Sequence, residues 1–486
     1  MQRPASPEVA PLSETLLATD FQPAAHAEWL ALVEKTLKGV ALESLDTTGP
    51  DGLIIHPLYE RDDAPRRFTP PQRSQGQPWD IRTRIRYPSK SSARDAALDE
   101  LAGGAASVIL AVRQKGADGI DIRSADDMAA VLEGILFDVA PLALDAGLLG
   151  PSAAEWLSAA VKDSPSAPLA LHLDPIGAFA RSGSSDGPIE SHLGSAARIA
   201  TTLNATHPRA SLFLASGAVV HEAGGGPAQE LAFVLATALA YLKAAVSAGL
   251  DGETAAARIV LGLSVDVDPL ISISKLRAAR MVWMRFAEAC DLPPSVSVEA
   301  RSSQRMLART EPWTNMIRLT AACLAAAVGG ADAIVLSAFT DAVGLPTPFA
   351  RRMARNTQLV LMEEARLGVV SDPVGGSGAF EALSTHIARS AWSRFNAIEA
   401  SGGILAALRD GLIADDVQDG VSALKEAIAS GAAKIVGITD FRAEVVHPAT
   451  VEAPQAAAGS PPDAKLPGPD SHCPPLTPVS LEDLAS

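Results

Sequence analysis

Seven acid–base side chains stand at or just past the ends of apolar runs: Asp174, Asp266, Asp268, His221, Glu299, Asp341 and Asp372. In a barrel enzyme that is the rim where the chemistry is kept, so their position supports proton transfer or carbonyl polarisation. No two of them recur at a spacing that compels one mechanism. The nine histidines (His26, His56, His172, His192, His207, His221, His386, His447 and His472) never fall at ligand spacing with one another. HExxH, CxxC and the P-loop are all missing. The string HEAGGG at 221–226 begins like a zinc-protease helix, but the second His is lacking and its glycines would end the helix, so it reads as a loop.

Two glycine-rich stretches, 224–226 and DPVGGSG at 372–378, have the composition of a phosphate cradle. Neither keeps the GxGxxG spacing with an acid about 20 residues further on, and both read as tight strand-to-helix turns. Cys290, Cys323 and Cys473 are too few and too scattered for a disulfide framework or a Cys-based zinc site, which suits a reducing cytoplasm.

The elements that must position these groups alternate between short β-branched runs and Ala/Leu/Arg-rich segments of helical period. Strands are predicted at 105–112, 141–144, 169–173, 211–215, 258–267, 295–300, 331–338 and 368–370. Helices are predicted at 125–138, 195–203, 228–248, 272–289, 313–328, 348–364 and 381–400. Eight strand–helix units in one register point to a closed (β/α)8 TIM barrel, an α/β fold.

The chain has 486 residues with a net charge of −16 and no cluster of Lys and Arg, which argues against nucleic acid or an anionic membrane as partner. Residues 1–20 show no basic stretch followed by an apolar run, so they do not read as a secretory signal. The most membrane-like stretch, 231–250, contains Lys243 and small polar residues and reads as a buried helix.

Outside the barrel, 21–39 reads as one amphipathic helix with Trp29, Leu30, Val33 and Leu37 on one face, followed by a strand-like run at 52–59. The expected division is an arm at 1–78, the barrel at 79–400, a helical extension at 401–446 and a flexible tail at 447–486. That tail has nine prolines in forty residues. Only 476–484 in it reads as a short docking helix, with Ser480 as N-cap and Glu482 and Asp483 in the first turn.

From residue 309 onward the sequence resembles the methylmalonyl-CoA mutase family, through EPWTNMIR (311–318), GLPT (344–347), RMARNTQLVLMEE (352–364), DPVGGSG (372–378) and IEASGG (398–403). Upstream, KLRAARMVW (275–283), SGAVVHEAGG (216–225) and QPWDIRTR (77–84) extend the likeness. The stretch WLALVEKTLKG…DGLIIHPLY (29–59) resembles in particular the small, or β, subunit of the heterodimeric members.

The resemblance implies a barrel related to enzymes that interconvert (R)-methylmalonyl-CoA and succinyl-CoA by radical chemistry on adenosylcobalamin. It also exposes departures. Active chains end the strand at 211–215 with Ser-Gly-Tyr-His, whose His holds the thioester carbonyl, whereas here Ala218 and Val219 stand at the Tyr and His positions. The loop at 111–127 is shortened and has no counterpart of their assisting Tyr, and His-Thr-Asn becomes Leu336, Ser337 and Ala338. Glu364 matches a Glu that approaches the adenosyl ribose and reads as vestigial; Lys275 and Arg277 match a Lys-x-Arg run with a fold-keeping reading.

No Asp-x-His-x-x-Gly loop for cobalamin occurs, so no cofactor or metal is expected on this chain, adenosylcobalamin being held by the partner. In place of an axial tunnel for coenzyme A, a barrel filled by half of Val108, Ile109, Leu171, Leu173, Phe213, Leu214, Val335 and Leu336 is expected.

The resemblance thus implies a non-catalytic small subunit pairing with a homologous large, or α, catalytic subunit in the cytoplasm. Trp29, Leu30, Leu37 and Tyr59 are the candidate partner contacts. Two rivals stand beside it: an active acyl-CoA mutase barrel that borrows cobalamin from a separate subunit, and a free-standing binding or chaperone-like barrel for a G-protein partner.

Overall fold

The computed structural model describes residues 25–60, 73, 77–115, 117–453 and 459–485. It divides into two compact units, one of residues up to 49 with 54–58, the other of 50–53 with 59–486. In the first, the helix His26–Thr36 is followed by an antiparallel ladder of Thr47–Thr48 with Ile54–Ile55, and the His56 ring lies 2.9 Å from Asp46. That helix has no buried residue.

The second unit is built on eight parallel strands: β1 (Asp80–Ile85), β2 (Ser107–Ala111), β3 (Leu142–Asp145), β4 (Leu169–Leu173), β5 (Ser211–Ser216), β6 (Ile259–Val265), β7 (Ser297–Ser302) and β8 (Ala333–Val335). Each pairs with its neighbour in sequence, and β8 pairs with β1, so the sheet closes on itself. This is the (β/α)8 barrel that the alternation predicts.

The membership of the eight differs at both ends. The run at 368–370 forms turns and bends, while Asp80–Ile85 supplies the first strand. A search for apolar runs passes over DIRTRI because its inward-facing positions are charged. The strands read as first, fourth and seventh are therefore β2, β5 and β8.

Asp-Pro pairs start two of the helices, Pro175–Ser182 and Pro269–Ala289; Asp174 caps the first by accepting from Gly177 N–H at 3.0 Å, and Asp268 the second from Ile271 N–H at 3.1 Å. Proline at the first helical position loses no hydrogen bond, since that N–H has no intrahelical partner. The outer faces of the strands pack on the helices, as where Phe213 stacks on Tyr241 with ring centroids 5.1 Å apart. The helix Pro227–Ser247 is long and apolar enough to cross a membrane by length and composition, but 67% of its apolar window is buried inside the protein.

The barrel interior corrects the expectation of an aliphatic filling. Ile109 and Val335 do face inward, touching Ala143 and Ala170, whereas Phe213 points outward to Tyr241. A second set of inward side chains carries charge. Arg82 on β1 binds Asp80 at 2.6 Å, Ser107 at 2.9 Å and, past β8, Glu299 on β7 at 2.7 Å. Arg84 binds Asp145 on β3 at 2.9 Å, and Arg301 on β7 binds Glu299 at 2.7 Å and reaches Asp145 at 3.6 Å. β3 and β7 are opposite strands, so this network spans the barrel from wall to wall.

The proline-rich segment expected to be a flexible tail is held against the barrel in its described residues. Arg113 and Arg123 donate to the carbonyls of Gly459 and Ser460 at 3.0 and 2.9 Å. Ser471–His472 pairs antiparallel with Ser184–Ser185. Cys473, Leu476 and Val479 donate their N–H groups to Gly183, Ala180 and Glu222 carbonyls. Proline cannot join a regular ladder, but single N–H groups between prolines can bond one loop after another. The short helix Leu481–Leu484 forms as the sequence predicts, with Ser480 as its N-cap.

Candidate functional site

A cavity of about 720 Å³ opens at the C-terminal mouth of the barrel, lined by the ends of the strands and by Pro462, Asp463 and Ala464 of the C-terminal strap. Of the seven candidate rim groups, Asp174 and Asp341 line it and the others do not. Asp341 is paired with Arg86 at 3.1 Å. Asp174 accepts from the Tyr241 hydroxyl at 2.5 Å, yet burial outweighs these hydrogen bonds and pushes its carboxyl up to about 6.

His221 is turned away into the wall. Its Nε2 lies 2.8 Å from the Ser303 hydroxyl, and its Nδ1 lies 3.6 Å from Glu230. Burial lowers the pKa of this imidazole. Burial also acts on Glu230, but Lys275 and His221 beside it prevail and hold it down at about 2. Asp266 sits 3.3 Å from Arg305, and Glu299 belongs to the interior network. Burial of Glu299 is outweighed by Arg301, His172 and Arg82, which bring its carboxyl to about 2.

The two glycine-rich stretches are turns, each with a carboxylate of the chain's own. Asp372 pairs with Arg277, which also binds Glu381 at 2.7 Å, and Gly376 N–H donates to Glu381 at 3.0 Å. At the other stretch, Asp51 accepts from Ala228 N–H at 2.6 Å, and a side chain at Gly226 would strike that carboxylate. The N-terminus of the helix Pro227–Ser247 is thereby occupied. Among the described residues, no three of His, Cys, Asp and Glu come together as metal ligands.

The family-matched positions converge on the cavity. Ala218 and Val219 from the end of β5, and Leu336, Ser337 and Ala338 beyond β8, all line it. Only Ser337 among them carries a polar side chain, and its hydroxyl accepts from Ser302 at 2.9 Å and from Gln304 at 2.5 Å. Glu364 is exposed on the π turn Val360–Glu364, away from the cavity, and Lys275 is buried against Glu230. Trp29 and Leu30 on the helix His26–Thr36, and Leu37 just past its end, are partly exposed, with Leu32 at 64% exposure, and Tyr59 is half-buried.

Sequence reasoning misses the polar wall: Arg84, Asp145, His172, Arg181, Arg301, Arg351 and Arg355. A signal was present in the alternation of charge at Asp80, Arg82, Arg84 and Arg86 and again at Glu299 and Arg301, which is the period of one strand face.

A family model described as methylmalonyl-CoA mutase matches residues 71–459. The methylmalonyl-CoA mutase small subunit of Streptomyces virginiae is 35% identical over 470 residues, 91% of this chain and 74% of that protein. This chain belongs to the methylmalonyl-CoA mutase family. The small subunit of Propionibacterium freudenreichii subsp. shermanii is 31% identical over 80% of this chain and 64% of its own length. A probable small subunit of Mycobacterium bovis is 32% identical over 82% of this chain and 66% of its own length. The chain thus spans about two thirds of the length of several small-subunit relatives.

Methylmalonyl-CoA mutases are generally adenosylcobalamin-dependent, but the described residues of this family member do not fit a corrin. The face over which so broad a ring would have to lie is crossed by the strap, and the one imidazole lining the cavity, His172, sits at its floor beside Glu299.

Proposed function

We propose that this chain is the non-catalytic small, or β, subunit of an adenosylcobalamin-dependent methylmalonyl-CoA mutase. In this reading a homologous large, or α, subunit in the cytoplasm holds the cofactor and interconverts (R)-methylmalonyl-CoA and succinyl-CoA. The observation that carries it is the side chains just past the ends of β5 and β8. Where active relatives deliver a His to the thioester and further hydrogen-bonding groups to the cofactor, Ala218, Val219, Leu336 and Ala338 can neither donate a hydrogen bond nor move a proton from their side chains.

The names of the relatives in Streptomyces and Propionibacterium support a subunit role. The helix His26–Thr36, with Trp29, Leu30 and Leu37 incompletely buried, supports an arm that reaches a partner, and Tyr59 adds an aromatic contact.

Mixing the chain with its large-subunit homologue at about micromolar concentration tests the reading. A stable complex is expected, with the cobalamin absorption and the mutase turnover travelling with the large subunit. A chain that stays monomeric overturns it. Turnover by this chain with only a separate cobalamin-binding subunit added overturns it in favour of an active barrel.

A further inference from the structure

Strand β4 advances from Ala170 to Leu173 while its neighbour β5 advances from Ser211 to Phe213, and within this irregularity His172 takes a φ of +46°. A left-handed backbone at a bulky residue costs on the order of 1 kcal/mol or more, and bulges of this kind re-aim a side chain. Here the side chain is an imidazole, 4% exposed, that lines the cavity with neither ring nitrogen hydrogen-bonded. Its nearest carboxylate, Glu299 Oε2, is 3.7 Å from Nε2, beyond a hydrogen bond.

Two more buried polar atoms of the same cavity's lining residues lack partners. Arg301 Nη2 has no partner, nor has the hydroxyl of Ser264, which faces Arg301 in the β6–β7 register. Glu299 fixes how near they are, since the same carboxylate that faces His172 accepts from Arg301 Nε at 2.7 Å. Leaving such an atom unmade costs about 1–3 kcal/mol, so several of them converging on one cavity indicate a ligand.

We propose that the cavity floor binds a small carboxylate, with Arg301, Ser264 and His172 donating to its oxygens. Arg301 Nη2 gives a charge-assisted hydrogen bond, the Ser264 hydroxyl rotates to donate, and the neutral imidazole supplies one N–H. The protein's own carboxylates there are already paired, Asp80 and Glu299 with Arg82 and Asp145 with Arg84. Arg181 adds a positive charge to the wall and has no carboxylate partner among the described residues, opposite Asp174, whose charge is shared with the Tyr241 hydroxyl. Since Arg301 and Asp145 span the barrel beneath, the ligand is short and enters from the mouth; a chain threaded along the axis has no path past them. This site stands on the chain alone and does not depend on the subunit role.

The test uses the full chain with labelled histidine, propionate as probe and propionamide as its neutral counterpart. Propionate is expected to shift the His172 resonance saturably and to raise that imidazole's pKa from about 4, where burial holds it. Propionamide is expected to bind about tenfold more weakly, and Ser264→Ala and His172→Ala each to weaken propionate about tenfold without loss of fold. Ser264→Ala keeps the test sound if His172→Ala relaxes the bulge. The proposal is overturned by no saturable response at roughly 100 mM propionate, by equal binding of propionamide, or by unchanged affinity in Ser264→Ala.

Discussion

At the mouth the ends of β5 and β8 present Ala218, Val219, Leu336 and Ala338, whereas β1, β3, β4 and β7 present Arg84, Asp145, His172 and Arg301. The first set carries no charge, and the second is crowded with ions. The contrast separates two roles that polar residues play inside a barrel. Single polar groups at strand ends, such as Ser337, bond only a neighbour or two. Groups that hold the barrel together bind one another in linked sets, as Arg82 does with Asp80 and Glu299, and removing one leaves the others short of a partner. A barrel can therefore present uncharged strand ends at its mouth without becoming apolar within.

The largest effect that would break this contrast is on stability. Arg82→Ala leaves Asp80 and Glu299 without their shared cation and is expected to cost about 3–5 kcal/mol, read by urea unfolding. A loss below about 1 kcal/mol would make the charged set as dispensable as the uncharged one. Next comes the strap over the mouth: Leu476, 2% exposed, packs at the barrel edge, and Leu476→Ala is expected to cost about 2 kcal/mol and to hasten proteolysis within residues 459–479. Unaltered digestion would mean that the strap is held by its backbone bonds alone.

Two buried carboxylates of the charged strands respond to acid in opposite directions. Glu299, drawn from an ordinary 4.5 to about 2, contributes stability that is complete above about 4.5 and lost as the pH falls toward 2. Asp174, raised from 3.8 to about 6, acts oppositely: the folded state binds its proton first, so stability gains as the pH falls from about 6 to 4. Asp174→Asn should flatten the urea midpoint between pH 4 and 6 and leave the lower limb intact. The smallest effect expected is none at all. Val219→His, with the other groups of its set still missing, should leave mutase turnover at background in a standard assay, and measurable turnover from it would show the uncharged set to be nearer competence than its side chains indicate.

The closed barrel was legible because alternating apolar runs and helical segments have one economical closure, and the family motifs fixed its kinship. The count of eight strands held while their identities did not. DIRTRI fails an apolar test because its inward positions are ions, and that same feature hid the interior network, whose partners lie on strands far apart in sequence. The rim acids misled for a related reason: Asp174 and Asp268 precede proline at helix starts, where a carboxylate serves the backbone. His172 left no trace in the pattern, since nothing in LALHLDP announces a positive φ. The strap was read from composition, which reports how little a segment can bury alone and is silent about a surface already waiting for it.

That strap has a consequence in time. Residues 459–481 follow all eight strands in sequence, and their backbone bonds go to carbonyls in the segments that follow β4, β5 and β7, namely Asp186, Gly183, Ala180, Glu222 and Arg305. During synthesis the barrel can close before the strap has left the ribosome. The mouth therefore begins its life uncovered, and whatever must settle on the cavity floor has its widest entrance before the last stitch draws three segments together.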